Sequence, residues 1–213
     1  MSVYVVIRRT FPKAFAGVVI ALALPGSAWA QPASGDAPAT MMLVPASPLV
    51  IGTPAFTPGE LDIPAIGVSA VVTSVGTVMA SAPFLGGQMV PTFAVPPDGS
   101  SVGWWADGPL VGAPGMAILL GHTQIGGYAV FNRLGELHPG DQVVVADSTG
   151  SARADFRVTR VVSDVPKNDP EALRRVLSEN AKDAQLALIT CGGAFNASYR
   201  ASADNVVAFA AQV

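Results

Sequence analysis

The sequence predicts a mainly β domain, an antiparallel barrel or sandwich, from two features. Eighteen prolines and 22 glycines interrupt the 213-residue chain, which argues against a bundle of long helices. Short runs rich in β-branched residues recur between these turn signals, as in proteins built from many short strands. Apolar residues make up 50% of the chain and charged residues only 13%, so a wholly disordered chain is excluded.

The first 30 residues have the three-part pattern of an export signal. A basic segment without acids precedes an uncharged apolar run over residues 14–25, and residues 28–30, Ala-Trp-Ala, give the small-x-small pattern of a signal-peptidase site. The apolar run is shorter than the roughly 20 residues of a membrane-spanning helix, which favours a cleaved signal over a permanent anchor. Arg8 and Arg9 also fit a twin-arginine signal. We therefore expect an extracytoplasmic protein, membrane-bound only if the leader is retained.

The remaining chain divides into a spacer and a folded domain. Residues 31–59 are rich in Pro, Ala, Ser and Thr and show no sustained period, which predicts a flexible spacer. The folded domain is predicted over residues 60–213, long enough to bury a good core.

Within this domain, six runs carry the strand pattern and two carry a helical one. The strand candidates lie within residues 67–78, 116–120, 142–146, 154–162, 185–190 and 205–211. The helical segments are residues 130–137 and 169–177, and the second has an Asp cap and a Pro in its first turn.

Charge and ligand counts exclude several classes of function. The net charge is −3 and no basic cluster is present, so we expect no nucleic-acid partner. One cysteine and two histidines exclude a disulfide framework and a zinc site of four Cys or His ligands. No nucleotide-binding motif and no metal-loop spacing of acids occurs, so we expect neither a cofactor nor a metal.

Three side chains are candidates for chemistry, and each has a plain structural alternative. Cys191 ends an apolar strand before two glycines, so its thiol is either a nucleophile facing a groove or a buried small apolar group. His122 also follows an apolar strand, and is either the general acid/base that such a thiol needs or a structural loop residue. Arg200 either returns to Cys191 to bind an oxyanion or lies on the surface. His138 lies in a turn and is interpreted as a surface residue.

The order of these residues resembles the sortases, a family of extracellular cysteine transpeptidases. The motifs that carry the resemblance are Gly121-His122-Thr123, Leu188-Ile189-Thr190-Cys191 and Tyr199-Arg200. Further matches resemble the actinobacterial class E/F branch: Ser101-Val102-Gly103-Trp104-Trp105, Phe131-Asn132-Arg133-Leu134, Pro139-Gly140-Asp141, Thr190-Cys191-Gly192-Gly193 and Asp204-Asn205-Val206-Val207. The similarity covers about residues 60–213. The long Pro- and Gly-rich stretch of residues 80–95 and the short leader depart from the family pattern.

The resemblance implies a sortase-like, eight-stranded β-barrel with one or two short helices. It assigns Cys191 as the nucleophile, His122 as the general acid/base, Arg200 as the oxyanion or substrate-positioning group, and Thr190 as a substrate-binding residue. It implies an LPxTG-like sorting-signal peptide as the acyl donor, and an amine on the cell wall or on a pilin-like protein, or water, as the acceptor.

Two other functions compete with this one. An L,D-transpeptidase is also an exported Cys/His enzyme, but that family places its Arg almost directly after the Cys, where this chain has Gly192 and Gly193. A degenerate β-barrel that binds peptides without cleaving them predicts an unreactive Cys191.

Overall fold

A computed structural model describes residues 54–213, and eight of their strands close into a barrel. Around the barrel, the strand order is β1, β2, β5, β6, β9, β10, β8, β7. The barrel strands are β1 (Glu60–Ile63), β2 (Val68–Val75), β5 (Val102–Trp105), β6 (Ala117–Gly121), β7 (Gln142–Ala146), β8 (Arg153–Pro166), β9 (Leu186–Asn196) and β10 (Ala201–Gln212). The eight-stranded barrel is therefore confirmed.

The barrel is not wholly antiparallel, which corrects the expectation from composition. β2 pairs with β5 in parallel, and β6 pairs with β9 in parallel, while the other six neighbours are antiparallel. Each parallel pair needs a long connection. A two-stranded hairpin of β3 (Thr77–Ala82) and β4 (Gln88–Phe93) lies in the first connection, and β7 and β8 lie in the second.

Helical structure is limited to one helix and three short 3-10 turns in the described residues. The helix, α1, is Ala172–Asn180, and the 3-10 turns are Pro64–Ile66, Pro83–Leu85 and Leu134–Glu136. The helix predicted over residues 130–137 is reduced to the last of these turns. The N–H of Val130 donates instead to Gly99, and that of Phe131 to His122, so these groups tie the segment to other loops.

The second predicted helix begins three residues later than residues 169–177 imply. The N–H of Glu171 donates to the carboxylate of Asp169, which makes a turn ahead of the helix. Leu173 and Leu177 of α1 are buried, and this apolar stripe packs against the outside of the barrel.

The leader, residues 1–30, and most of the predicted spacer lie outside the described residues. The last residues of that spacer, however, pack on the barrel. Phe56 is buried in the main core and pairs with Val111, and the N–H of Gly59 donates to Ala146. Burial of the Phe56 ring stabilises the fold. Ordered structure therefore begins before Glu60. Within residues 54–213 we find no helix long and apolar enough to cross a membrane.

Gly121, the last residue of β6, is required by close packing. A Cβ there would collide with the ring of Phe131, which is fully buried beside it. We expect Gly121→Ala to lower the free energy of unfolding by about 1–3 kcal/mol, because the ring must shift in a packed core. Urea denaturation followed by tryptophan fluorescence measures the change.

The matched control is Gly76→Ala, because a Cβ at Gly76 meets only one atom, at 3.8 Å. That substitution should leave stability unchanged or raise it by up to about 1 kcal/mol. Equal effects of the two substitutions would contradict the packing assigned to Phe131.

Candidate active site

The strands β6, β9 and β10 are buried on both faces. Alternate residues point into the barrel: Ala117, Leu119, Leu186, Leu188, Val206, Ala208 and Ala210. The intervening residues form a second cluster outside it, here called the outer face: Ile118, Leu120, Ala187, Ile189, Cys191, Val207 and Phe209. Leu173 and Leu177 of α1 and Phe93 of β4 cover the outer face. The predicted nucleophile thus belongs to a covered surface outside the barrel.

Cys191 is the last residue of β9 in the outer cluster. Its thiol is free and the residue is only 5% exposed. The strand continues through Gly192 and Gly193, and Gly193 has a φ of 71°. A Cβ on Gly193 would strike the carboxylate of Asp204 on β10. The glycines therefore let β10 pass close to the strand directly beyond the thiol.

His122 lies beside Cys191, at the end of the neighbouring strand. The parallel register pairs Leu120 with Ile189, and continuing it by two residues places His122 level with Cys191. The hydroxyl of Thr123 donates to the Cys191 carbonyl oxygen at 3.3 Å, which joins the two strand ends. The two residues singled out by sequence are therefore neighbours.

One backbone hydrogen bond fixes the role of each ring nitrogen of His122. Nε2 lies 2.8 Å from the carbonyl oxygen of Pro96, in the connection between β4 and β5. A carbonyl oxygen can only accept, so Nε2 carries the proton and donates. Nδ1 is left for proton exchange. The imidazole is half-buried. The backbone carbonyl oxygen of His122 accepts a hydrogen bond from the N–H of Phe131 at 3.0 Å.

Arg200 lies in the exposed turn between β9 and β10. Its φ of 49° is in the left-handed region, and its N–H donates to Ala197. The adjacent Tyr199 contacts the Phe84 ring edge-to-face, with ring centroids 5.0 Å apart, so this turn packs on the β3–β4 hairpin. A cavity of about 410 Å³ is lined by Thr123, Gln124, Ile125, Phe195 and Arg200. Arg200 thus faces the residues that directly follow His122.

The Thr190 side chain lies on the face of the sheet opposite to Cys191, where its hydroxyl makes a hydrogen bond. It is 1% exposed, and its hydroxyl donates to the Gly121 carbonyl oxygen at 2.7 Å. Thr190 alternates with Ile189 and Cys191, so its side chain lies on the face toward the barrel interior. The prediction that Thr190 binds substrate stays a prediction. The contact that the structure gives it ties β9 to the end of β6, directly before His122.

The comparison with protein families identifies the chain. A profile described as "Sortase domain" matches residues 61–213. The chain belongs to the sortase family. Sortases are cysteine transpeptidases, so this protein is an enzyme that acts on peptide bonds, and the family works outside the cytoplasm.

Solved structures of other sortases resemble this one at low sequence identity. Sortase C-1 from Actinomyces oris is 18% identical, over 72% of each chain, with a TM-score of 0.47. A lid mutant of sortase A from Corynebacterium diphtheriae is 15% identical, over 75% of this chain and 71% of that one, with a TM-score of 0.46. Sortase C from Streptococcus pneumoniae is 16% identical, over 73% and 68%, with a TM-score of 0.49. A search of curated proteins finds no match.

Sequence reasoning missed two groups that hold this sortase's site in place. One is the Pro96 carbonyl, which a motif cannot reveal because any residue supplies a carbonyl. The other is Lys167, which is 3% exposed and donates from Nζ to the Ser202 carbonyl oxygen at 3.0 Å. Its N–H also donates to Ala203. Both bonds anchor the start of β10, directly after the Arg200 turn.

Metal ligands are not clustered in this part of the molecule. Among residues 54–213, no group of three or more His, Cys, Asp or Glu side chains is placed to hold a metal ion.

The segment that presents the Pro96 carbonyl is organised by Asp98. Its carboxylate accepts from the N–H and hydroxyl groups of both Ser100 and Ser101. These bonds, led by that from the Ser100 hydroxyl, lower the pKa of Asp98 from 3.8 to about 2. The carboxylate therefore remains ionised, and the segment ordered, throughout the neutral range.

The depressed pKa of Asp98 sets the sign of an acid effect on stability. The stabilisation is complete above the unfolded value of 3.8 and is lost as pH falls through about 2. We expect the melting temperature of the wild type to fall more steeply than that of Asp98→Asn between about pH 4 and pH 2. Thermal melts of both proteins measure these slopes. Exposed Asp164→Asn is the control and should keep the wild-type slope, whereas parallel curves for the wild type and Asp98→Asn would contradict the role given to Asp98.

Proposed function

We propose that this sortase cleaves an LPxTG-like sorting signal through a thioester on Cys191 and transfers the acyl group to an amine or to water. The observation that carries the proposal is the adjacent placement of His122 and Cys191, directly beyond the point where the parallel pairing of β6 and β9 ends. A thiol needs a neighbouring imidazole to form and hold the thiolate. The match of residues 61–213 to the sortase family supports the same chemistry.

The reaction follows in two steps. The Cys191 sulfur attacks the threonine carbonyl of the peptide, and the thiol proton passes to Nδ1 of His122. The tetrahedral intermediate collapses to a thioester, and the leaving glycine amine takes that proton. An acceptor amine or water then attacks the thioester and gives a proton back through His122, which restores the thiol. One difficult amide exchange is thus divided into two easier steps.

Arg200 is proposed to stabilise the oxyanion or to position the peptide. Its turn borders the same cavity as Thr123 and Gln124, the two residues that directly follow His122. Its five N–H donors suit a carbonyl oxygen that gains charge. Thr190 is proposed to bind substrate, as the family resemblance implies, and its bond to Gly121 also holds the strand end from which His122 emerges.

The partners and the location of the enzyme are also part of this proposal. The acyl donor is the sorting signal of an exported protein, and the acceptor is an amine on the cell wall or on a pilin-like protein. The enzyme is proposed to work at the cell envelope, released if the leader is cleaved. The class E/F assignment stays a prediction from the motifs of residues 101–105 and 190–193.

The proposal is tested by the intact mass of the full chain after incubation with an LPxTG peptide. We expect a thioester adduct on the wild type that resolves faster when an amine is added, and no adduct on Cys191→Ala. Full cleavage by Cys191→Ala would falsify the proposal. A wild type that binds the peptide but forms no adduct would indicate the degenerate binding module.

His122 has a matched control in the exposed His138. We expect His122→Ala to lower kcat/KM by about 10²–10⁴-fold, because the leaving amine loses its proton donor. His138→Ala should retain wild-type kcat/KM. His138 lies in a turn in which its backbone N–H donates to the Asp141 carboxylate, and this bond does not involve the ring. Equal losses in both variants would remove His122 from the mechanism.

Arg200 is tested against Arg160, an exposed arginine on β8. Arg200→Ala should lower kcat/KM by about 10²–10³-fold, the effect of losing an oxyanion donor. Arg160→Ala should have no effect, and Arg200→Lys should recover only part of the loss because an ammonium cannot bind two acceptors in a plane. Steady-state cleavage of a fluorogenic sorting peptide measures all four proteins. An Arg200→Ala enzyme as active as Arg160→Ala would rule out a role for Arg200.

A further inference from the structure

Asn205 is a buried polar residue on the otherwise apolar outer face. On β10 it alternates with Val207 and Phe209, which both belong to the outer cluster. It is 1% exposed, and its Oδ1 has no hydrogen-bond partner. A carboxamide therefore stands where the pattern of the strand calls for an apolar side chain.

The register places this carboxamide directly beside the nucleophile. Asn205 pairs with Cys191 across the antiparallel strands β9 and β10. Residues directly opposite each other in such a pair carry their side chains on the same face, with Cβ atoms about 4.5–5.5 Å apart. His122 lies on the opposite side of Cys191, directly after β6, so the three residues form one row at the level of Cys191.

The unsatisfied oxygen is costly to the fold. Buried polar side-chain atoms in native proteins nearly always have a partner, and a group that lacks one calls for an explanation. A buried acceptor without a partner carries its full desolvation cost, and an apolar group of similar shape in its place avoids that cost. Leucine would fit the alternation with Val207, so stability does not account for asparagine here.

The position of Asn205 limits what can supply the missing donor. His122 is separated from it by Cys191, so the carboxamide cannot orient the imidazole as the asparagine of a Cys-His-Asn protease does. On its other side, β10 pairs Asn205 with Val165, an apolar residue. The group that arrives beside Cys191 during the reaction is the acyl-donor peptide, whose backbone N–H groups flank the attacked carbonyl.

We propose that Oδ1 of Asn205 accepts a hydrogen bond from a backbone N–H of the acyl-donor peptide next to the carbonyl that Cys191 attacks. Asn205 is then a further catalytic residue, which holds the peptide plane in register with the thiol. This inference rests on the proposed function of Cys191. It assigns the unsatisfied oxygen a partner that is present only in the substrate complex.

The test is Asn205→Leu in the full chain, because the functional and the structural roles predict opposite changes in stability. We expect the melting temperature to rise by about 2–4 °C, since a buried unsatisfied oxygen is removed. We expect kcat/KM for the LPxTG peptide to fall at least about tenfold, the loss of one hydrogen bond to substrate. The rate of alkylation of Cys191 by iodoacetamide should not change, because that reaction involves no peptide.

Thr92→Val is the matched control. Thr92 on β4 is also 1% exposed, and its hydroxyl oxygen also lacks a partner, but it lies outside the row of three residues. The Thr92→Val substitution should raise the melting temperature in the same way and leave kcat/KM unchanged. An equal loss of activity in Thr92→Val would assign the effect to relaxed packing and overturn the proposal.

Three other results would also overturn it. A lower melting temperature for Asn205→Leu would make Asn205 a structural residue. Unchanged kcat/KM in Asn205→Leu, with an active wild type, would refute this inference alone. A wild type that forms no thioester would refute the proposed function and this inference together.

Discussion

The parallel pairing of β6 with β9 is the constraint on which the rest of the site depends. These strands lie far apart in the sequence, yet Ala117 pairs with Leu186 and Leu120 with Ile189. Because parallel neighbours advance together residue by residue, the residue two positions after Leu120 lies level with the residue two positions after Ile189. His122 and Cys191 meet for this reason, and the Thr123 and Thr190 hydrogen bonds lock the two strand ends at that level.

Burial on both faces explains why these strands have no polar alternation. The interior of the barrel takes one set of side chains, and α1 with β4 covers the other, so both sets are apolar. The same packing places Cys191 at the boundary between a dry cluster and the substrate side. Cys191 itself is buried, whereas His122 and Gly192 beside it are half-buried and Gly193 is exposed.

Local patterns in the sequence predicted several of the barrel strands. They missed the strands that are defined by pairing with their neighbours. Residues 142–146 coincide with β7, and residues 116–120 nearly coincide with β6, since an apolar run between turns is a local signal. β1 has four residues and no such run, so only its pairing with β2 and β7 defines it. The Pro- and Gly-rich stretch of residues 80–95 gives no strand signal, yet it contains most of the β3–β4 hairpin, whose Phe93 packs in the outer cluster.

Sequence can select candidate site residues by their chemistry, but it cannot select residues that matter only through the strand register. Cysteine and histidine are rare here and reactive, so Cys191 and His122 could be chosen from sequence, whereas Asn205 is significant only because it pairs with Cys191. The same end of the sheet holds the left-handed φ of Arg200 and the unsatisfied oxygen of Asn205. Each feature destabilises the free protein. Both features fall within residues 200–205, and under the proposal for Asn205 the bound peptide supplies the missing donor.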